Sequence, residues 1–156
     1  MATSYYRGSP ELNEETFLPD GAVKTGDLGY IDADGYLFIT GRKKDLIVLT
    51  SGRKVAPGPI EARLRQSLLV ENCMVLGSER PYCVAIIKPE NPNVAIAEIE
   101  AEVAKVNAAS DRDERIVKFV VSTEGFSREN GLLTSQFKLR RNEITQRYAP
   151  QVAELY

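Results

Sequence analysis

Residues 25–47 read TGDLGYIDADGYLFITGRKKDLI, in which two apolar runs flank a turn and a basic segment follows. The runs, residues 28–31 and 36–40, carry the aromatic and branched side chains that favour strands. The sequence Asp-Ala-Asp-Gly at 32–35 between them is typical of a hairpin turn. The stretch therefore predicts a β-hairpin, and a further short strand is expected at 22–25.

A helix is expected to begin at Pro57, since proline is favoured in the first turn of a helix. Ile60, Leu64 and Leu68 recur four residues apart and would share one apolar face. Glu61 is expected to point elsewhere. The pattern predicts an amphipathic helix that packs Ile60, Leu64 and Leu68 against a core.

The rest of the chain alternates between strand-like and helix-like patterns. A second helix is expected over 94–108, and short helical turns are expected on either side of Pro150. The expected strands lie at 46–49, 54–56, 70–76, 82–88 and 116–122. These elements predict an α+β fold from about residue 44 onward, a short mixed sheet flanked by helices.

The composition limits the classes of function. The chain has 156 residues, of which 43% are hydrophobic and 27% charged, the balance of an ordinary globular protein. A formal net charge of −2 gives no electrostatic basis for binding nucleic acid. No apolar run approaches the ~20 residues that span a bilayer, and the first residues lack a secretory signal, so a cytoplasmic location is expected. The absence of histidine excludes a Ser-His-Asp triad and a His-ligated zinc site within this chain.

The two cysteines, Cys73 and Cys83, lie in runs that are typical of buried strands. Buried cysteines pack as small hydrophobic residues. A disulfide would require the strands to pair in a register that brings the sulfurs together. Free thiols are therefore expected at both positions.

Three motifs occur in the order Thr25-Gly26-Asp27, Gly41-Arg42-Lys43-Lys44-Asp45 and Leu133-Thr134-Ser135-Gln136-Phe137-Lys138-Leu139-Arg140-Arg141. Together they resemble the closing part of the adenylate-forming enzymes, the superfamily of acyl-CoA synthetases, luciferases and peptide-synthetase adenylation domains. The segments 51–61 and 131–141 are most similar to the long-chain fatty-acid–CoA ligases. The resemblance spans nearly the whole chain and implies an acid–thiol ligase.

The resemblance also implies roles for five residues. Asp27 and Arg42 would bind the ribose of ATP, which suits a carboxylate because it can accept hydrogen bonds from two vicinal hydroxyls. Lys44 would be the hinge between two domains, and Gly52 would line the tunnel for the pantetheine arm of CoA. Lys138 would be the adenylation lysine, whose ammonium bridges the α-phosphate and the attacking carboxylate, with Mg²⁺ on the phosphates. No metal-binding residue is expected in this chain.

The implied domain organisation is a remnant of a large N-terminal adenylation domain, residues 1–43, followed by a mobile C-terminal small domain, residues 44–156. The remainder of the large domain is then the expected partner, with fatty acid and CoA as substrates and no nucleic acid. We expect this fragment to be inactive alone, with ATP, Mg²⁺ and CoA used by the intact enzyme and none bound to the fragment. The resemblance leaves open a peripheral membrane association of the full enzyme.

The strands at 22–40 would expose apolar faces without the rest of their subdomain. We expect them to fold back on the small domain, to pair with a second copy of the chain, or to be disordered. Two further hypotheses stay open for the function. One is an adenylate-forming ligase for another acyl group or for a carrier-protein acceptor, and the other is a non-catalytic, stand-alone binding module.

Overall fold

The computed structural model describes residues 9–156, so residues 1–8 of the predicted remnant lie outside the described residues. The chain divides into two compact units, one that runs to Lys44 and one that spans Asp45–Tyr156. Each unit contains its own paired strands.

The first unit is a short helix followed by a two-stranded hairpin. Helix α1 spans Pro10–Thr16, and strands β1 (Asp27–Ile31) and β2 (Leu37–Arg42) pair antiparallel, with a bulge after Leu28. This pairing confirms the predicted hairpin. The turn residues reverse the chain, and the two apolar runs form the strands on either side of it.

The predicted strand at 22–25 is wrong. Val23 makes only an isolated bridge with Phe17. The backbone N–H of Lys24 donates to the carbonyl of Thr16 at 2.8 Å. This segment therefore folds back on the end of α1, where its backbone groups are satisfied without a ladder.

The second unit is built on a three-stranded mixed sheet, whose strands lie side by side in chain order. Strands β5 (Val70–Leu76) and β6 (Cys83–Pro89) are antiparallel, and β7 (Ile116–Val121) is parallel to β6. Helix α3 (Ile96–Ala108) makes the crossover that a parallel pair requires. The α+β fold and its mixed sheet are confirmed.

Short elements precede and follow this sheet. Strands β3 (Ile47–Val48) and β4 (Lys54–Val55) form a small hairpin that leads into helix α2 (Pro57–Leu64). Helices α4 (Arg141–Arg147) and α5 (Ala149–Ala153) end the chain. Proline is tolerated in the first turn of a helix, so Pro150 lies inside α5 and does not separate the two helical turns as expected.

The sheet separates two hydrophobic clusters. One face carries Cys73, Ala85 and Ile87 and packs against α2 and α3. The other face carries Met74 and Ile86 and packs against the segment that ends in α4 and α5. Both faces are covered, which explains why the central strand β6 is buried along its whole length.

The predicted face of α2 is partly wrong. The helix ends at Leu64, and Leu68 is 94% exposed, because the chain turns towards β5 after the helix. Glu61 is only 3% exposed, although it was expected to point away from the core. The charged side chain of Glu61 is therefore buried at a position where the apolar pattern had predicted exposure to solvent.

Both cysteines are buried free thiols, as expected. Cys73 lies opposite Ile87 in the antiparallel register, and Cys83 is four residues away from Ile87 along β6. At about 3.4 Å per residue, this offset separates the two cysteine backbones by far more than a disulfide spans. The register is the physical reason that the thiols do not pair.

Candidate functional site

Asp27 and Arg42 meet at the open end of the first hairpin. They are opposite each other in the ladder, and Arg42 Nε lies 3.1 Å from Asp27 Oδ1. Their side chains are 30% and 51% exposed, and neither has a second ion-pair partner within residues 9–156. The structure thus brings together the two residues expected at the ribose, and both side chains are partly exposed to solvent.

Lys44 directly follows this hairpin. The N–H of Lys43 donates to the carbonyl of Gly26 at 2.8 Å, which closes the end of the ladder. A single 3₁₀ turn, Lys43–Asp45, then begins, and the boundary between the two compact units falls after Lys44. Lys44 itself is exposed. A cavity of about 500 Å³ in the first unit is bordered by Arg42, Lys43 and Lys44 together with Thr25 and Gly26.

Gly52 lies in the turn between β3 and β4. Its N–H donates to the carbonyl of Leu49 at 2.8 Å, and its φ is 81°. A Cβ at this position would meet nothing within 4 Å. Glycine is therefore favoured here by the left-handed backbone, and the space beside it is open for a ligand.

The Gly52 turn is attached to a second loop of the same unit. The N–H of Thr50 donates to the carbonyl of Arg80 at 3.0 Å, and the N–H of Glu79 donates to the carbonyl of Val48 at 2.8 Å. Two backbone hydrogen bonds thus fix the position of the turn on the loop that joins β5 to β6.

Lys138 is presented by a compact turn. The N–H of Thr134 donates to the carbonyl of Lys138 at 2.8 Å, and the N–H of Lys138 donates to Thr134 Oγ1 at 3.1 Å. Leu133 and Leu139 form an isolated bridge at the base of the turn. The side chain of Lys138 is exposed and has no ion-pair partner within the part of the chain that the structure describes.

Glu61 is the residue near Lys138 that sequence reasoning missed. Both of its carboxylate oxygens lie 2.7 Å from Nη2 of Arg141, which follows Lys138 by three residues. Glu61, Arg141 and Lys138 border the same cleft of about 440 Å³, together with Arg65 and Asn72. No pattern within α2 could have placed this carboxylate inside the unit, because its partner Arg141 lies 80 positions away in the sequence.

The five predicted site residues fall into two sets. The first unit contains Asp27 and Arg42, which form an ion pair, and it ends at Lys44. Gly52 and Lys138 lie on separate loops of the second unit. Within residues 9–156, no group of three or more His, Cys, Asp or Glu side chains is arranged to hold a metal ion. No helix in the same range is long and apolar enough to cross a membrane.

Known proteins are similar to this chain in sequence and in fold. The long-chain-fatty-acid–CoA ligase FadD15 of Mycobacterium tuberculosis is 33% identical to this chain over an alignment of 177 positions. The alignment covers 99% of this chain and 29% of that protein. The A domain of carboxylic acid reductase from Segniliparus rugosus, solved with AMP and a co-purified carboxylic acid, superposes with a TM-score of 0.84. It is 28% identical, and the match covers 96% of this chain and 25% of that one.

A third match is the anthranilate CoA ligase AuaEII, solved with anthranoyl-AMP, at a TM-score of 0.74 and 25% identity. That match covers 99% of this chain and 28% of the ligase. The family model described as the AMP-binding enzyme C-terminal domain matches residues 44–156. This chain therefore belongs to the family of AMP-binding enzyme C-terminal domains.

Proposed function

We propose that this chain is the C-terminal region of a long-chain fatty-acid–CoA ligase, an acid–thiol ligase that converts ATP, fatty acid and CoA into acyl-CoA, AMP and pyrophosphate. Its similarity to FadD15 over 99% of its length supports this assignment. The chain spans 29% of the length of that relative. The complete reaction therefore needs the large adenylation domain as a partner, and the chain alone is inactive.

The observation that carries the proposal is the exposure of Lys138 on a turn that is held by hydrogen bonds between Thr134 and Lys138. In the first half-reaction a carboxylate oxygen attacks the α-phosphorus of ATP, and the bond to pyrophosphate breaks. Negative charge increases on the phosphate oxygens in the transition state. The Lys138 ammonium donates hydrogen bonds to these oxygens and to the attacking carboxylate. Within residues 9–156 Lys138 forms no ion pair that would have to break first.

Asp27 and Arg42 bind the ribose in this proposal. Arg42 holds Oδ1 of Asp27 through Nε, so Oδ2 is left to accept a hydrogen bond from a ribose hydroxyl. The terminal guanidinium nitrogens of Arg42 remain available as donors to the same sugar. The ion pair thus fixes the orientation of the carboxylate before the nucleotide arrives.

The second half-reaction requires a different surface of the small domain. We assign residues 1–43 to the end of the large domain and residues 44–156 to the small domain, with the hinge at Lys44. The boundary between the compact units, which falls after Lys44, supports this division. Rotation about Lys44 moves Lys138 away from the adenylate and moves the Gly52 turn towards it. The CoA thiol then loses its proton to solvent, its sulfur attacks the acyl carbon, and the bond from that carbon to the phosphate oxygen of AMP breaks. Residues 9–156 contain no cluster of side chains arranged to hold a metal ion, so none of these steps uses a metal bound by this chain.

A second candidate is an adenylating enzyme with another acyl substrate or acceptor. The similarity to the A domain of a carboxylic acid reductase favours this alternative. Both candidates share the adenylation step, and they differ in the molecule that attacks the adenylate.

Complementation tests the proposal. The chain is mixed with the large domain of a long-chain acyl-CoA synthetase that lacks its own small domain, and AMP release is measured with fatty acid, ATP and CoA. The variant Lys138→Ala should lose activity by about 100-fold or more, because it removes a cation from the transition state. The matched control is Lys118→Ala, which removes an exposed lysine on β7.

The outcomes separate the candidates. Activity that requires CoA and Lys138 supports the ligase. Pyrophosphate release without CoA-dependent AMP release supports another acceptor. Equal activity of the Lys138→Ala and Lys118→Ala variants would contradict the proposed role of Lys138. No activity in any mixture with several large domains would favour the non-catalytic binding module.

A further inference from the structure

The Glu61 carboxylate occupies an unusual place for a charged group. It lies within helix α2 and is 3% exposed, beside the apolar side chains of Ile60 and Leu64. A buried carboxylate is costly unless its oxygens are hydrogen-bonded or paired with a cation. Its position therefore depends on the partners that the fold supplies.

Those partners come from two other parts of the second unit. Arg141 Nη2 donates to both carboxylate oxygens at 2.7 Å, and the N–H of Val75 donates to Oε1 at 2.8 Å. Arg141 Nη1 donates to the carbonyl of Val75 at 3.3 Å. The ion pair and the peptide groups of Val75 thus form a closed ring of hydrogen bonds.

The ring lies at the edge of the sheet. Strand β5 is an edge strand, so the outward peptide groups of Val75 have no neighbouring strand to bind. Glu61 accepts from the N–H and Arg141 donates to the carbonyl. The pair therefore replaces a strand at this point, and it attaches both α2 and the start of α4 to the sheet.

The same attachment determines where the Lys138 turn lies. Hydrogen bonds to Thr134 fix the shape of the turn, but they do not fix its position on the sheet. The base of the turn is anchored by Leu132, which is buried, and by Leu133 and Leu139, which pack against the same hydrophobic cluster. On its C-terminal side the chain passes to Arg141, whose guanidinium is held by Glu61.

We propose that Glu61, acting through Arg141, is a positioning residue for Lys138. Glu61 need not touch substrate. It holds the end of the Lys138 turn against the edge of β5, so that the ammonium enters the reaction in one orientation. The catalytic part of this inference rests on the proposed function, whereas the structural part concerns this chain alone.

The structural part is tested with the 156-residue chain itself. Amide hydrogen exchange is measured by NMR for Phe137 and Lys138 in the wild type, Glu61→Gln and Glu61→Ala. Exchange at the turn should rise by roughly 10-fold in Glu61→Ala, since charge-assisted hydrogen bonds are lost, and by less in Glu61→Gln, which keeps one acceptor. Exchange at the central strand β6 should stay unchanged.

The matched control is Glu71→Gln, which removes the charge of a more exposed glutamate on the same strand, β5, where Glu71 pairs with Lys88 at 3.8 Å. It should leave the turn as in the wild type. Wild-type exchange at Lys138 in Glu61→Ala, with β6 intact, would overturn the proposal, because the apolar contacts of Leu132, Leu133 and Leu139 would then hold the turn without Glu61. Should Glu61→Ala fail to fold, Glu61→Gln and Arg141→Lys give the same comparison with smaller changes.

The catalytic part is tested in the complemented enzyme. Misplacement of a catalytic group lowers kcat, so Glu61→Gln should reduce kcat of adenylation by roughly 10-fold or more while KM for ATP and fatty acid changes little. A looser turn with an unchanged kcat would overturn the positioning role. If the wild-type chain gives no activity, the proposed function fails, and the exchange measurement still decides the structural part.

Discussion

The thiol of Cys73 is fully buried in the hydrophobic core, and this burial changes its pKa. Burial raises the pKa of its thiol to about 12, and the nearby Glu61 carboxylate adds to the shift. Burial also raises the pKa of Cys83 to about 11, with Glu114 and Asp113 acting in the same direction. Both thiols are therefore protonated and unreactive in the folded chain at neutral pH.

These shifts predict a dependence of stability on pH. In the unfolded chain each thiol titrates near 9.0, so between pH 9 and about 11 the unfolded state loses a proton that the folded state keeps. The contribution to stability is complete below pH 9 and is lost as pH rises towards the folded pKa. The free energy of unfolding should fall by about 1.4 kcal/mol per pH unit for each thiol.

Urea unfolding over this pH range, on the wild type and on Cys73→Ala, measures the slope. The variant lacks one of the two thiols, so its slope should be shallower by about 1.4 kcal/mol per pH unit. Alanine is preferred to serine because it leaves no buried hydroxyl without a partner. Parallel curves for the two proteins would show that Cys73 ionises equally in both states.

At the level of single residues, local sequence could place Asp27 and Arg42 but not Glu61. The hairpin pattern brings Asp27 and Arg42 to the same open end, and the bulge after Leu28 shifts Asp27 from a position opposite Gly41 to one opposite Arg42. The burial of Glu61 depends on Arg141, which lies 80 positions away in the sequence. Periodicity within α2 carries no information about a partner at that distance. The role of Lys138 stays a prediction.

At the level of elements, the strands of the three-stranded sheet were predicted better than the end of helix α2. Strand β5 has the predicted bounds of 70–76, because an apolar run between turns leaves little choice. Helix α2 stops at Leu64 even though Leu68 continues the apolar spacing. The end is set by the turn at Ser67, where the chain must enter β5, and the spacing alone does not reveal that turn.

The geometry of the Lys138 turn depends on the side chain of Thr134. Thr134 Oγ1 accepts the backbone N–H groups of Gln136 at 3.3 Å and Lys138 at 3.1 Å. Thr134→Val keeps the shape of the side chain and removes both acceptors. A neutral hydrogen bond contributes about 1 kcal/mol, so amide exchange at Lys138 should accelerate roughly 5-fold.

Hydrogen exchange followed by NMR checks this expectation, with Thr123→Val, at an exposed threonine, as the matched control. The control should leave exchange at Lys138 unchanged. If Thr134→Val exchanges as slowly as the wild type, the turn is held by its backbone hydrogen bonds alone. The variant also separates the shape of the turn from its anchoring at Glu61, since it leaves the Glu61–Arg141 pair in place.

At the level of the whole molecule, the distribution of buried residues is uneven. Both hydrophobic clusters consist of residues from Ile47 onward. The hairpin before them exposes large apolar side chains, among them Ile31, which is 68% exposed, and Ile39, which is 61% exposed. Such a surface is typical of a segment that is covered by another protein surface, which agrees with the proposed large-domain partner.

This distribution predicts that residues 45–156 fold without the first 44. Burial of apolar surface is the main source of stability, and the clusters lose no member when the hairpin is removed. The urea midpoint of the shortened chain should match that of the full chain, and the near-ultraviolet circular dichroism should keep the signal of the buried Tyr148. An expanded chain with exposed apolar surface, detected by dye binding, would mean that the hairpin unit contributes to the core.

The control is Ile31→Lys in the full chain, which changes an exposed hairpin residue. It should leave the urea midpoint unchanged and should reduce any self-association of the chain.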